Sequence, residues 1–327
     1  MKLLLCMMSA ALPLVAQPKL LINAKMDTRP ASAGLEQVFR PLVTAQPQPA
    51  WIGWSVPATR TNRGCDYVRD GLEQRGVIHL ETPDTAIILI RVEGGSVDRI
   101  RSLSPDCEID AGDLPVHWLS GVKPAESVAL LDTYAAQRER YMDSALSAIA
   151  AHSDAAADAA LLRYLAPTQP ETLRLRVVSW FGAPRGRRGF DILKSLIASD
   201  PSERVRERAI STLGNGREPE ALELLISIAR KDPNARMRMQ ALSTLNRFPG
   251  AKVVNALKEA IESDPDVQVK RRAVSALQTM PDGEGVPVLI QLAKTAENAD
   301  VRKQAMNSLQ QSRDGRALSF FEEVLKK

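Results

Sequence analysis

Aromatic side chains make up only 4% of the 327 residues, and there are just three histidines and three cysteines. Sandwich and barrel cores lean on large rings, so this scarcity favours helices packed through Ala, Leu and Val. His79, His117 and His152 are scattered, with no CxxC or HExxH spacing, which leaves no recognisable metal-ligand set. No GxSxG, Walker A or Rossmann glycine pattern occurs either. No metal or cofactor is therefore expected, and the chain is not read as an enzyme. It also lacks an apolar run of the roughly 20 residues that cross a bilayer. The formal charge is only +4 and no aromatics interleave with the basic residues to stack bases, so nucleic acid is a poor partner.

The first sixteen residues stand apart. Lys2 precedes the uncharged run LLLCMMSAALPLV, which ends at Ala16 and the polar Gln17. This pattern reads as a secretory signal peptide over residues 1–16, so the protein is expected to be exported, periplasmic or extracellular. Export leaves Cys65 and Cys107 in an oxidising compartment, where an even pair is most simply a disulfide.

Residues 17–123 read as a small β-rich domain. TAIILIRVEGGSVDRIRSL (Thr85 to Leu103) has two β-branched arms around Gly94-Gly95, a pair that supplies the positive φ of a tight hairpin. WIGWSVP and VIHLE are further strands, and SAGLEQVFRPLV (Ser32 to Val43) is a short helix that QPQP stops. In DCEID (Asp106 to Asp110) acids alternate as in a calcium loop, but alternation by two also describes the wet face of a strand, and the loop's glycine would fall on Ala111.

From residue 124 to 327 only helical periodicity remains, and it repeats. DPSERVRERAISTL, DPNARMRMQALSTL and DPDVQVKRRAVSAL begin at Asp200, Asp232 and Asp264, a step of 32. Val205, Ala209 and Leu213 form one apolar stripe at i, i+4 and i+8, and each recurs 32 residues later. A second stripe, such as Leu193, Leu196 and Ile197, precedes each first one. Each unit is thus two antiparallel helices, A then B. The Asp-Pro pair between them is expected to start helix B, Asp accepting its free amides and Pro occupying its first position. About six such hairpins should stack into an α-α superhelix, since no single hairpin can bury its own apolar face.

The DPxxxVRxxAxxxL pattern with two helices per unit resembles HEAT repeats, and the short unit is similar to the branch named for phycobilin lyases. The signal peptide, strand region and repeats together are similar to exported bacterial HEAT-repeat proteins. Such repeats serve many functions. Deoxyhypusine hydroxylase uses them to hold iron through His-Glu pairs, and this chain has no His-Glu dipeptide.

Two sets of repeated residues are candidates. Arg174, Arg206, Arg238, Lys270 and Arg302 form a cation ladder. At about 100° per residue, Arg206 falls about 100° from Val205, inside the apolar arc. A cation there should be shielded at the A-to-B turn and paired with Asp200 or backbone carbonyls, which makes the ladder structural. The opposite face of helix B carries Arg204, Arg208, Arg236, Gln240, Arg271, Arg272 and Lys303. The resemblance implies that this face lines the inner curve, where a mildly basic surface would hold an acidic protein segment. Ser147, Ser179, Ser211, Ser243 and Ser275 follow the same step, as close helix packing alone would require. The expected function is an extracytoplasmic protein-interaction scaffold. The alternative is a lyase or other enzyme of the phycobilin-lyase-like group, or a hydrolase with dispersed carboxylates.

Overall fold

The computed structural model describes residues 21–59, 84–137, 139–182, 185–216 and 218–325. The chain divides into two compact units, residues 1–163 and 164–327. The signal-peptide segment, the VIHLE strand and Cys65 lie outside the described residues. Cys107 is buried.

The first unit opens with β1 (Leu21–Ile22), β2 (Lys25–Pro30) and helix α1 (Leu35–Thr44). Strands β3 (Ala50–Pro57), β4 (Thr85–Glu93), β5 (Ser96–Leu103), β6 (Ile109–Asp110) and β7 (Pro115–Ser120) follow. The main sheet runs in the order β2, β7, β3, β4, β5. The β3–β4–β5 half is antiparallel, while β7 runs parallel to both β2 and β3. Gly94 and Gly95, at φ +57° and +68°, make the expected tight turn between β4 and β5. Separately, β1 and β6 pair in parallel as a two-residue ribbon. Only Ile109–Asp110 of DCEID is strand, and Asp110 accepts the Gly112 amide at 2.8 Å.

Helices α2 (Pro124–Gln137), α3 (Glu139–Ala151) and α4 (Ala155–Arg163) belong to this same unit. Helix type therefore begins at Pro124 as expected, but packing ties these three helices to the sheet. Trp54 of β3 donates its indole N–H to Ser127 Oγ at 2.8 Å, and Ser127 lies 2.9 Å from His152 Nε2. With His152 Nδ1 2.8 Å from the Ala148 carbonyl, the consistent tautomer donates from Nδ1 and accepts the serine proton at Nε2. All three side chains are fully buried, and a buried polar chain of this kind is costly unless every member is bonded. The few aromatics concentrate here: Phe39 meets Trp54 and Tyr134 edge-on, and Tyr134 meets Tyr141 likewise, with centroids 6.2–6.4 Å apart.

The second unit is a stack of hairpins. Helix α5 (Glu171–Val178) is a B helix, followed by A and B helices in alternation: α6 (Gly186–Ser199) and α7 (Glu203–Leu213), α8 (Pro219–Lys231) and α9 (Ala235–Leu245), α10 (Ala251–Ser263) and α11 (Val267–Gln278), α12 (Val286–Thr295) and α13 (Ala299–Gln310). Helix α14 (Gly315–Leu325) follows as a further A helix. Each A helix packs on its own B helix, and α5, α7, α9, α11 and α13 pack in succession. The repeated stripe is the core, for Val205, Met237, Val269 and Val301, with their Ala and Leu companions, are all buried. Successive B helices approach closely. A Cβ on Gly214 would sit 2.4 Å from Thr244 Cγ2 of the next unit.

Candidate functional site

The turn between helices A and B differs from the sequence expectation. Asp200, Asp232 and Asp264 are the C-caps of α6, α8 and α10, and the prolines after them lie outside both helices. Each aspartate instead accepts the amide two residues on, from Ser202, Asn234 and Asp266, at 2.8–2.9 Å. Those residues, with Asn298, are the true N-caps of the B helices, their side chains accepting first-turn amides. This Ser/Asn/Asp/Asn series also keeps the 32-residue step, so the signal was present in the sequence, hidden behind the more conspicuous Asp-Pro.

The cation ladder closes the same turn. Arg206 donates to the Asp200 carbonyl, Arg238 to that of Asp232 at 2.9 Å, Lys270 to that of Glu262 at 2.8 Å, and Arg302 to those of Ala296 and Glu297. Arg174 donates to the Leu165 carbonyl. The carbonyls at an A helix's end carry the negative pole of its dipole, which a cation there stabilises. Two members also span units. Arg174 pairs with Asp200, and Arg238 makes two parallel bonds to Asp264 at 2.8 and 2.9 Å, all of these side chains being buried. The hydrogen bond that Arg238 donates to Asp264 raises the Arg238 pKa. For Asp264, burial pushes the pKa up, but the Arg238 bond and the Asp266 amide outweigh it and hold the carboxyl below its ordinary range. The shielding expected of the whole ladder fails at one end, since Arg302 is exposed.

The outer face of the B helices separates the seven predicted partner-binding residues into two groups. Arg204 pairs with Glu171 of the preceding B helix at 2.7 Å, and Arg236 pairs with Glu207. Ser202 and then Arg204 hold the Glu171 carboxyl below its ordinary range. Gln240 donates to Ser211 at 2.7 Å, as Gln304 does to Ser275 at 3.2 Å, which gives two members of the serine series a packing role. These residues stitch neighbouring units together. Arg208, Arg271, Arg272 and Lys303 are exposed, and none forms an ion pair among the described residues. They leave a net positive charge on this face of α7 and α11, whereas on α13 the exposed Asp300 offsets Lys303.

Among the described residues no group of three or more His, Cys, Asp or Glu is placed to hold a metal ion. No helix of the described residues is long and apolar enough to cross a membrane.

A stack of two-helix units with a shielded Arg–Asp turn and a free B-helix face defines an α-solenoid. HEAT repeats match residues 142–246, 190–278 and 254–327, together more than half of the chain, and the chain belongs to that family. No curated protein matches it. Among solved structures, the chain is similar to the complex of CpcE and CpcF of phycocyanin lyase from a Nostoc species, at 23% identity and a TM-score of 0.35, covering 46% of this chain and 97% of that one. It is also similar to human deoxyhypusine hydroxylase in complex with glycerol, at 15% identity and a TM-score of 0.31, covering 61% and 90% respectively. Likeness at these scores carries no argument about chemistry.

Proposed function

We propose that this protein is a non-catalytic, extracytoplasmic scaffold that holds a protein partner along the face of its B helices turned away from the core, the concave face of a HEAT-like solenoid. Export rests on the composition of residues 1–16. The carrying observation is the contrast among the seven cations and amides of that face. Those that can reach a neighbouring unit are engaged by it, whereas Arg208, Arg271, Arg272 and Lys303 are exposed and without an ion pair among the described residues. A surface so charged favours an acidic segment, and the attraction should weaken with salt.

The test is affinity capture from the producing cell's envelope with intact protein and with a variant carrying Arg208→Glu, Arg271→Glu and Arg272→Glu. A partner retained by the intact protein and lost by the variant supports the reading. Equal recovery by both defeats it. Pigment or metal copurifying with the intact protein would instead favour a lyase or other enzyme of the phycobilin-lyase-like group.

A further inference from the structure

The β1–β6 ribbon lies over one face of the main sheet of the first unit and leaves a pocket of about 190 Å³. Its walls are apolar: Leu21, Trp51, Leu89, Leu103, Ile109 and Val116. The floor follows from strand register. Gly53 pairs with both Trp118 and Leu89, and Leu89 pairs with Arg101, so these four positions form one row across β7, β3, β4 and β5. Ala111 and two charged residues, Arg101 and Asp110, complete the lining. Arg101 is exposed and has no ion-pair partner among the described residues, Asp110 included. The Asp110 carboxylate accepts from Asn23 at 3.2 Å and from the Gly112 amide at 2.8 Å, which fixes it at the rim and leaves acceptor capacity unused.

The size limits the occupant. Pockets for drug-sized ligands run to roughly 300–1,000 Å³, whereas an apolar cavity of about 150 Å³ holds a single benzene ring. The occupant is therefore one compact apolar group. It also meets one cation, Arg101, and one braced anion, Asp110, that do not pair with each other. We propose that this pocket binds a free α-amino acid with an apolar side chain, its carboxylate on Arg101, its ammonium on Asp110 and its side chain between Trp51, Leu89 and Leu103. A monocarboxylate would leave Asp110 facing a second anion, and a simple amine would leave Arg101 unanswered.

The experiment is isothermal titration of the full chain with L-leucine and L-phenylalanine. Two probes lack one charge each: 4-methylpentanoate without the ammonium and isoamylamine without the carboxylate. Saturable binding of an amino acid is expected, with both analogues weaker by about tenfold or more. Arg101→Gln and Asp110→Asn should each cause a comparable loss, with the far-ultraviolet spectrum unchanged. If Asp110→Asn disturbs the ribbon it braces, Arg101→Gln, at an exposed position, carries the test alone. The absence of saturable amino-acid binding, equal binding of 4-methylpentanoate, or an Arg101→Gln variant with unaltered affinity would each overturn the proposal.

Discussion

At the scale of single residues, the pair with most at stake is Arg238 and Asp264. Their side chains are only 10% and 6% exposed, so removing one leaves the other as an uncompensated charge in a poor solvent. Breaking such a pair typically costs about 3–5 kcal/mol, whereas an exposed pair such as Arg204 and Glu171 is screened by water and contributes far less. Asp264→Ala should accordingly destabilise the second unit by several times more than Glu171→Ala in urea titrations at pH 7. Acid adds a second signature. A carboxyl held lower in the folded than in the unfolded state contributes stability above its unfolded pKa and loses it as pH falls through the folded value. Between about pH 5 and pH 3 the native protein should therefore lose stability more steeply than Asp264→Asn. Parallel slopes for the two proteins would show that the Asp264 carboxylate contributes nothing through this bond.

At the scale of elements, the hairpins were legible because their periodicity is enforced by packing: every third-of-a-turn error in the Val, Ala and Leu stripe would expose it. The β4–β5 hairpin was legible for the same kind of reason, since Gly94-Gly95 meets a steric demand few residues can meet. The helix ends were misread because Asp-Pro satisfies the rule for a start as well as the geometry of an Asx turn that precedes one. Only three-dimensional placement separates Asp200, a C-cap, from Ser202, an N-cap. Of the candidate site, the faces of the B helices followed from the 3.6-residue period. Which of their cations were already engaged did not, because partners such as Glu171 and Glu207 lie on neighbouring helices 33 and 29 positions away from them. The spacing between B helices yields a prediction of its own. Gly214→Ala would force a methyl against Thr244 Cγ2, and overpacking of this sort costs about 1–3 kcal/mol. Adding Thr244→Ala should return most of that loss, so the double variant should be more stable than the sum of the singles implies. Simple additivity in a urea double-mutant cycle would mean that α7 and α9 adjust without strain.

At the scale of the whole molecule, the polar chain from Trp54 through Ser127 to His152 and the bond from Tyr141 to the Val97 carbonyl place α2, α3 and the sheet in a single core. The second unit carries a core of another kind, in which each hairpin is completed by the next. Two cores with separate contents should be able to fold separately. Residues 164–327 expressed alone are therefore expected to show a helical far-ultraviolet spectrum and a cooperative urea transition. Asp264→Ala should lower the midpoint of that transition, as in the intact chain. Three of the four tryptophans, Trp51, Trp54 and Trp118, lie in the first unit and only Trp180 in the second. In the intact protein, tryptophan emission should then follow the first unit and ellipticity at 222 nm chiefly the second. Asp264→Ala should move the ellipticity curve and leave the emission curve in place. Coincident curves that shift together would show that the two cores unfold as one.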